Sequence, residues 1–316
     1  MNNSISLKSF FIKNNTLIIF LLMILLSAFI SDSFFTSNNI SNLLRQAAPI
    51  GLMSFGMLLV ILTGGIDLSV GSIVAAIGVS FALFSYEFYF PIAFILALLT
   101  GALAGAISGY LVAYQKVAPF IATLAMMTIV RGLGFLASKG APVMVGDYSK
   151  AILNLGSGSF IGIPYAAWLM FGVFFIMYII LKYNVYGRIL IAIGSNEEAV
   201  RLSGISVKKY KFSVYVVIAF LSALAALLMV SRTGVGTPNI GVGLELDVIA
   251  AVVIGGASLS GGKGSIVNTL FGVLILAMIG NVMNLMDITS YLQQVIKGLI
   301  ILIAVIFQRY QHYFFK

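Results

Sequence analysis

The chain has 316 residues, of which 61% are hydrophobic and only 9% charged, against about 25% charged in soluble domains. With a mean hydropathy of +1.11, a water-facing fold cannot hide its apolar residues, so lipid must solvate much of the chain. The net charge of +9 is scattered between apolar runs, which argues against nucleic acid as a partner. No Cys and a single His, His312, exclude disulfides, thiol chemistry and multi-histidine metal sites, so no metal and no cofactor is expected.

A hydrocarbon core of about 30 Å takes about 20 helical residues. Ten runs qualify, at 16–31, 43–62, 71–87, 91–114, 120–137, 165–181, 212–231, 245–261, 265–284 and 289–308. Stretches such as Thr16 to Ile30 are apolar on every side, whereas barrel strands alternate. The predicted fold is all-α: a polytopic membrane protein of about ten transmembrane helices, with 1–316 forming a single transmembrane domain in contact with membrane lipid.

The first run follows Lys8 and Lys13 and reads as an uncleaved span rather than a signal peptide, with the N-terminus in the cytoplasm. Loops on that side then hold Lys8, Lys13, Lys116, Lys182, Arg188, Arg201, Lys208, Lys209, Lys211, Lys263, Arg309 and Lys316. The opposite side holds Arg45, Lys139, Lys150 and Arg232. This excess sets the orientation by the positive-inside rule and puts both termini in the cytoplasm. Six carboxylates, Asp32, Glu87, Asp147, Glu245, Asp247 and Asp287, are expected outside.

Residues 64–74 read GGIDLSVGSIV and residues 255–267 read GGASLSGGKGSIV. Each follows an outside-to-inside span, which predicts a parallel repeat, roughly 40–138 against 231–309. Breaks of this kind are where transporters build gates. Asp67 and Ser69 lie in the first copy, with Ser258 opposite Asp67; the aspartate either holds the turn into the next helix or serves a gate or partner contact. The near-match to a phosphate-binding loop at 257–265 fails at Ala257 and Gly264, which excludes nucleotide binding by this chain.

Residues 182–211 form a basic loop. Within it the residues Ser195, Asn196, Glu197, Glu198, Ala199, Val200, Arg201, Leu202, Ser203 and Gly204 predict a short helix. Ser195 is its expected cap, Glu198 reaches back, Arg201 complements the negative end and Gly204 provides a left-handed stop. Ala199, Val200 and Leu202 give it an apolar side. It either lies at the lipid interface or docks a partner.

The spacing EAVxxxG at 198–204 resembles the EAA loop of ABC-transporter permeases, with Val200 in place of the second alanine. Added to ILTGGIDLSVGS (61–72), FIATLAMMTIVRG (120–132), RLSGI (201–205), LELDVIAAVVIGGASLSGGKGSIV (244–267) and the stretch from Tyr291 to Val305, the chain resembles the sugar-uptake permeases of the ribose type. The N-terminal dozen residues and the loop 138–164 resemble them least. The resemblance implies a bacterial inner-membrane, multi-pass subunit without catalytic residues. It would pair with a second permease chain, couple to a cytoplasmic ABC ATPase subunit through 195–204, and receive a monosaccharide from an extracytoplasmic sugar-binding protein. Ribose is the expected cargo, with xylose, arabinose, autoinducer-2 or a nucleoside as alternatives.

No carboxylate is expected at mid-span, which argues against the rival reading of an ion-coupled carrier. Two cations do sit deep, Arg131 and Lys297, and are expected either to bond carbonyls or interhelical polar groups, with snorkelling open to Lys297, or to serve a pathway. Asn281, Asn284, Gln293 and Gln294 are candidates for sugar hydroxyls or for bridges between helices. The loop 138–164 is either a docking surface for the binding protein or a passive connector.

Overall fold

A computed structural model describes residues 15–314. Lys8, Lys13 and Lys316 lie outside the described residues, as do the side chains of Arg309 and His312. The chain opens with α1 (Asn15–Ile30), α2 (Ser37–Leu62), α3 (Val70–Phe84), α4 (Phe90–Ala113) and α5 (Pro119–Ser138). A connector follows, built from β1 (Val143–Met144), a 3-10 turn (Asp147–Ile152), α6 (Leu153–Ser157), β2 (Ser159–Phe160) and β3 (Ile163–Pro164). Next come α7 (Tyr165–Tyr183), α8 (Val185–Ser195), α9 (Glu197–Leu202) and α10 (Val207–Thr233). β4 (Val235–Gly236), α11 (Leu244–Ile254), α12 (Ile266–Leu285) and α13 (Ser290–Phe314) complete it. Among the described residues six helices, α2, α4, α5, α7, α10 and α12, are long and apolar enough to cross a membrane, as a multi-pass membrane protein requires.

A helix lies over each of the apolar runs, with differences in extent. α2 starts at Ser37 rather than at residue 43, because the Thr36 hydroxyl accepts from the Asn39 amide at 3.4 Å and caps the earlier turn. Arg45, counted among the cations of the outer side, rides on α2 and donates to the Ser157 carbonyl at 3.0 Å. α10 starts at Val207, earlier than residue 212, and the unforeseen α8 precedes the short helix expected at 195–204. The run expected at 245–261 is helical only to Ile254, where Gly255 and Gly256 stop it. The strands are two short antiparallel pairs: β1 with β4, in the register Val143↔Gly236, and β2 with β3.

α2 and α10 form the axis, burying Phe55, Leu58, Ile61, Tyr215 and Ile218 completely or nearly so. α4 packs closely on α10 because Gly101, Gly105 and Gly109 recur on one face and meet Ala223, Ala219 and Phe212. Between helices in lipid, packing and hydrogen bonds replace the hydrophobic effect, so such a bare stripe is what lets backbones approach. A Cβ on Gly105 would lie 2.5 Å from the Tyr215 carbonyl oxygen. Gly105→Leu should therefore cost about 1–3 kcal/mol by overpacking, seen as a lowered detergent-solubilised Tm. Ile107→Leu, on the exposed face of the same helix, should leave it unchanged.

Candidate functional site

The two glycine motifs end their helices in the same way. After α2, the Gly64 amide donates to Ile61 and the Gly65 amide to Val60; after α11, Gly256 donates to Val253 and Ala257 to Val252. These are paired 5→2 and 6→1 closures, and Gly64 and Gly256 take the left-handed φ of +77° and +81° that they need. The hydrogen bonds thus match Gly64 with Gly256, one residue away from the pairing that the letters suggest.

Both motifs converge on the segment that leads into α9. The Gly262 amide donates to the Leu62 carbonyl at 3.0 Å, and Gly194, at the end of α8, presses its bare Cα against that same pair of backbone groups. A Cβ on Gly262 would meet Ser195 Oγ at 2.5 Å. The end of α2, the glycine loop after α11 and the root of α9 therefore meet backbone to backbone.

Asn196, not Ser195, caps α9: its Oδ1 accepts from the Ala199 amide at 3.0 Å. Ser195 is the last residue of α8, and its hydroxyl turns back to the Ile191 carbonyl at 2.9 Å. Nor does Glu198 reach back to the cap. It takes a bidentate pair with Arg201, Nε to Oε2 at 2.9 Å, and that hydrogen-bonded guanidinium holds the carboxyl below the usual carboxylate range. Glu197 instead bonds Lys211 on α10 at 2.6 Å, tying the helix to the next span. Of the three apolar residues only Val200 packs inward, against Ile193 and Val207; Ala199 is exposed and Leu202 is 76% exposed. Gly204 closes the helix at φ +80°.

Asp67 is fully buried; its Oδ1 accepts from the Ser69 amide at 2.8 Å and the Ser69 hydroxyl at 2.6 Å. It thus holds the turn into α3. Among the described residues, Asp67 Oδ2 and the buried Tyr215 hydroxyl have no hydrogen-bond partner.

The pathway candidates separate. Asn281 exchanges two hydrogen bonds with Asn39 of α2, at 3.0 and 2.7 Å, and Gln293 donates to Asn284 and to the Ile288 carbonyl, both at 2.8 Å. Those three bridge elements. Gln294 is exposed. Arg131 Nη1 donates to the Pro238 and Ile240 carbonyls at 3.1 and 2.9 Å. Lys297 pairs with Asp247 at 2.9 Å.

That last pair sets a carboxylate against one of the two deep cations. Glu245 and Asp247, assigned to the outer surface, stand in the first turn of α11, which starts beside Gly71 at the opening of α3. This placement is not legible in the letters, because the segment before α11 reads as an ordinary loop. Also missed were Gly194 and Gly262, whose role depends on contacts distant in sequence.

The connector 138–164 is folded. Ser85 Oγ accepts from the Gly146 amide at 2.6 Å, Ser149 donates to the Phe88 carbonyl at 2.9 Å, and Ile152 is fully buried. Beside it opens a cavity of about 650 Å³ lined by Arg45, Lys150, Arg232, Asn42 and Ser157 among others.

With this geometry in place, the chain can be set beside known proteins. The family model described as branched-chain amino acid transport system / permease component matches residues 39–305. The ribose import permease protein RbsC of Haemophilus influenzae is 42% identical over 304 residues, 95% of this chain and 94% of that one. RbsC of Bacillus subtilis is 46% identical over 292 residues, covering 92% and 90%. The L-arabinose transport system permease protein AraH of Escherichia coli is 38% identical over 298 residues, covering 93% and 90%. No solved structure matches the chain.

Gly194→Val should drive a side chain into the Leu62–Gly262 contact and cost about 1–3 kcal/mol, read as faster hydrogen exchange across α9 and a lower Tm. Gly172→Val, at a helical glycine with open space around it, should change neither.

Proposed function

Because this chain belongs to the family of permease components of branched-chain amino acid transport systems, we propose that it is the membrane subunit of an ATP-driven ABC importer for ribose. The observation that carries the cargo is the 42% and 46% identity to ribose import permeases across more than nine-tenths of this chain. The arabinose permease at 38% favours arabinose as the second reading. In this account the chain makes and breaks no covalent bond, and ATP is hydrolysed on a separate cytoplasmic subunit.

The proposed architecture is one domain of ten spans in the bacterial inner membrane, both termini cytoplasmic, with 40–138 and 231–309 as parallel repeats. The matching helix closures at Gly64 and Gly256 support the repeat, and the cation asymmetry supports the orientation. The spans pair with a second copy of the chain in the same membrane.

The proposed handle for the ATPase is α9 with its flanks, Ser195 to Gly204. The exposed Leu202 and the rim of Glu198 and Arg201 give a partner an apolar anchor inside a charged border. Val200, Gly194 and the Glu197–Lys211 pair carry its movement into the spans. On the opposite face, the folded connector and the cavity bearing Arg45, Lys150 and Arg232 suit an acidic surface on a sugar-binding protein. Asp67 and Ser69, beside the glycine junction, are the proposed gate contacts. Asp247 is already paired with Lys297, so it offers no free carboxylate to a coupling ion.

The test is reconstitution. The chain with its ATPase and binding protein should accumulate ribose on ATP, whereas the chain alone should not do so on a proton or sodium gradient; accumulation on an ion gradient overturns the reading. Glu198→Ala with Leu202→Asp should leave the chain inserted while reducing ATPase co-purification about tenfold, as loss of an interface anchor does. Cysteines at Asn196 and Asp147 should label from opposite faces.

A further inference from the structure

The chain between α10 and α11 is not helical, and its contacts fix its depth. Gly101, near the middle of α4, packs against Ile77 of α3. The next residue of α3, Gly78, packs against Gly236, and Gly71, about two turns or 10 Å further along the axis, packs against Gly241. Gly78 also packs against Val230, seven residues beyond the Ala223 that meets Gly101, and Gly236 pairs with Val143 of the connector. The backbone from Gly236 to Gly241 therefore runs from the connector end of the bundle into its depth. Irregular backbone at such depth is tolerated only where protein or water satisfies its polar groups.

Arg131 supplies two of those bonds from one nitrogen: Nη1 donates to Pro238 O and to Ile240 O, at 3.1 and 2.9 Å. Glu245 anchors the far end, its Oε1 accepting from the Gly243 amide at 3.3 Å, while its Oε2 is buried without a hydrogen bond among the described residues. The opposite side of the segment is open. Asn239 is exposed, as are Val242 at 75% and Leu246 at 54%. A flap is thus pinned from behind by a guanidinium and presents an apolar tip away from its own bundle.

We propose that residues 235–246 form the barrier of the solute pathway, and that Arg131 is its positioning residue, holding the flap closed without touching sugar. This rests on the importer reading for the existence of a pathway. Losing Arg131 frees two carbonyls at a depth where water does not replace the donor, so the flap leaves its seat and the closed state leaks.

The experiment uses the full chain in proteoliposomes, with and without its ATPase. Arg131→Gln, inserted at wild-type levels, should raise passive efflux of entrapped ribose and erythritol without nucleotide by at least about tenfold, the shift that losing one charge-assisted hydrogen bond gives. Arg131→Lys should rescue most of this, because a single nitrogen makes both bonds. A merely structural role would lower insertion or Tm without this rescued leak. Val242→Cys, in a chain with no native cysteine, gives a second readout if Arg131→Gln fails to fold. A bulky thiol reagent at that position should block ATP-driven uptake.

An Arg131→Gln vesicle as tight as wild type, or full modification of Val242→Cys with uptake unchanged, overturns the proposal. The leak needs neither ATPase nor the right cargo, so a tight variant sinks the flap and spares the importer. Failure of wild-type uptake together with the rescued Arg131→Gln leak sinks the importer reading and leaves the flap standing.

Discussion

Three backbone segments meet at one point: the Leu62 carbonyl, the Gly262 amide that bonds it, and the bare Cα of Gly194. Side chains can absorb displacement by changing rotamer, and backbone in van der Waals contact cannot. A push on α9 would therefore pass to the end of α2 and to the glycine loop after α11 with little loss. Every element of the proposed transport depends on this junction, because the exposed Leu202 is useful as a handle only if its helix is rooted in what it moves.

The second constraint comes from the solvent. In lipid, the segment between α10 and α11 must find its hydrogen bonds within the protein, and Arg131 and Glu245 provide them. Asp247 and Lys297 neutralise each other nearby. Charges that look costly in an apolar sequence are thus matched to local needs: one guanidinium to two carbonyls, one ammonium to one carboxylate. Asn39 and Asn281 do the same for neutral amides, each satisfying the other across α2 and α12.

Much of the fold was legible because lipid forces long apolar runs, and runs such as 91–114 and 265–284 fell almost residue for residue on α4 and α12. Boundaries failed where side chains decide them. Thr36 extends α2, and the Gly255–Gly256 pair cuts α11 to 11 residues, about 16 Å of helix where the apolar run promised about 25 Å. α9 was readable from its local letters, yet its cap was placed one residue early, since Ser195 and Asn196 are equally good caps and only tertiary packing gives Ser195 to α8. The junction at Gly194 and the seat of Arg131 were not legible at all. Both join residues far apart in the chain, and one sequence holds no record of which distant segments touch.

The measurement that bears most directly on the rooted lever is a pair of spin-label distances in the assembled transporter, taken with and without nucleotide. Labels at Ser203 and Lys263 report on the junction, and labels at Ser203 and Asn239 report across the bundle. The account predicts a Ser203–Lys263 distance that stays constant through the ATPase cycle while the Ser203–Asn239 distance changes. A Ser203–Lys263 distance that shifts while Ser203–Asn239 holds still would mean that α9 moves independently of the glycine loops, contradicting the account.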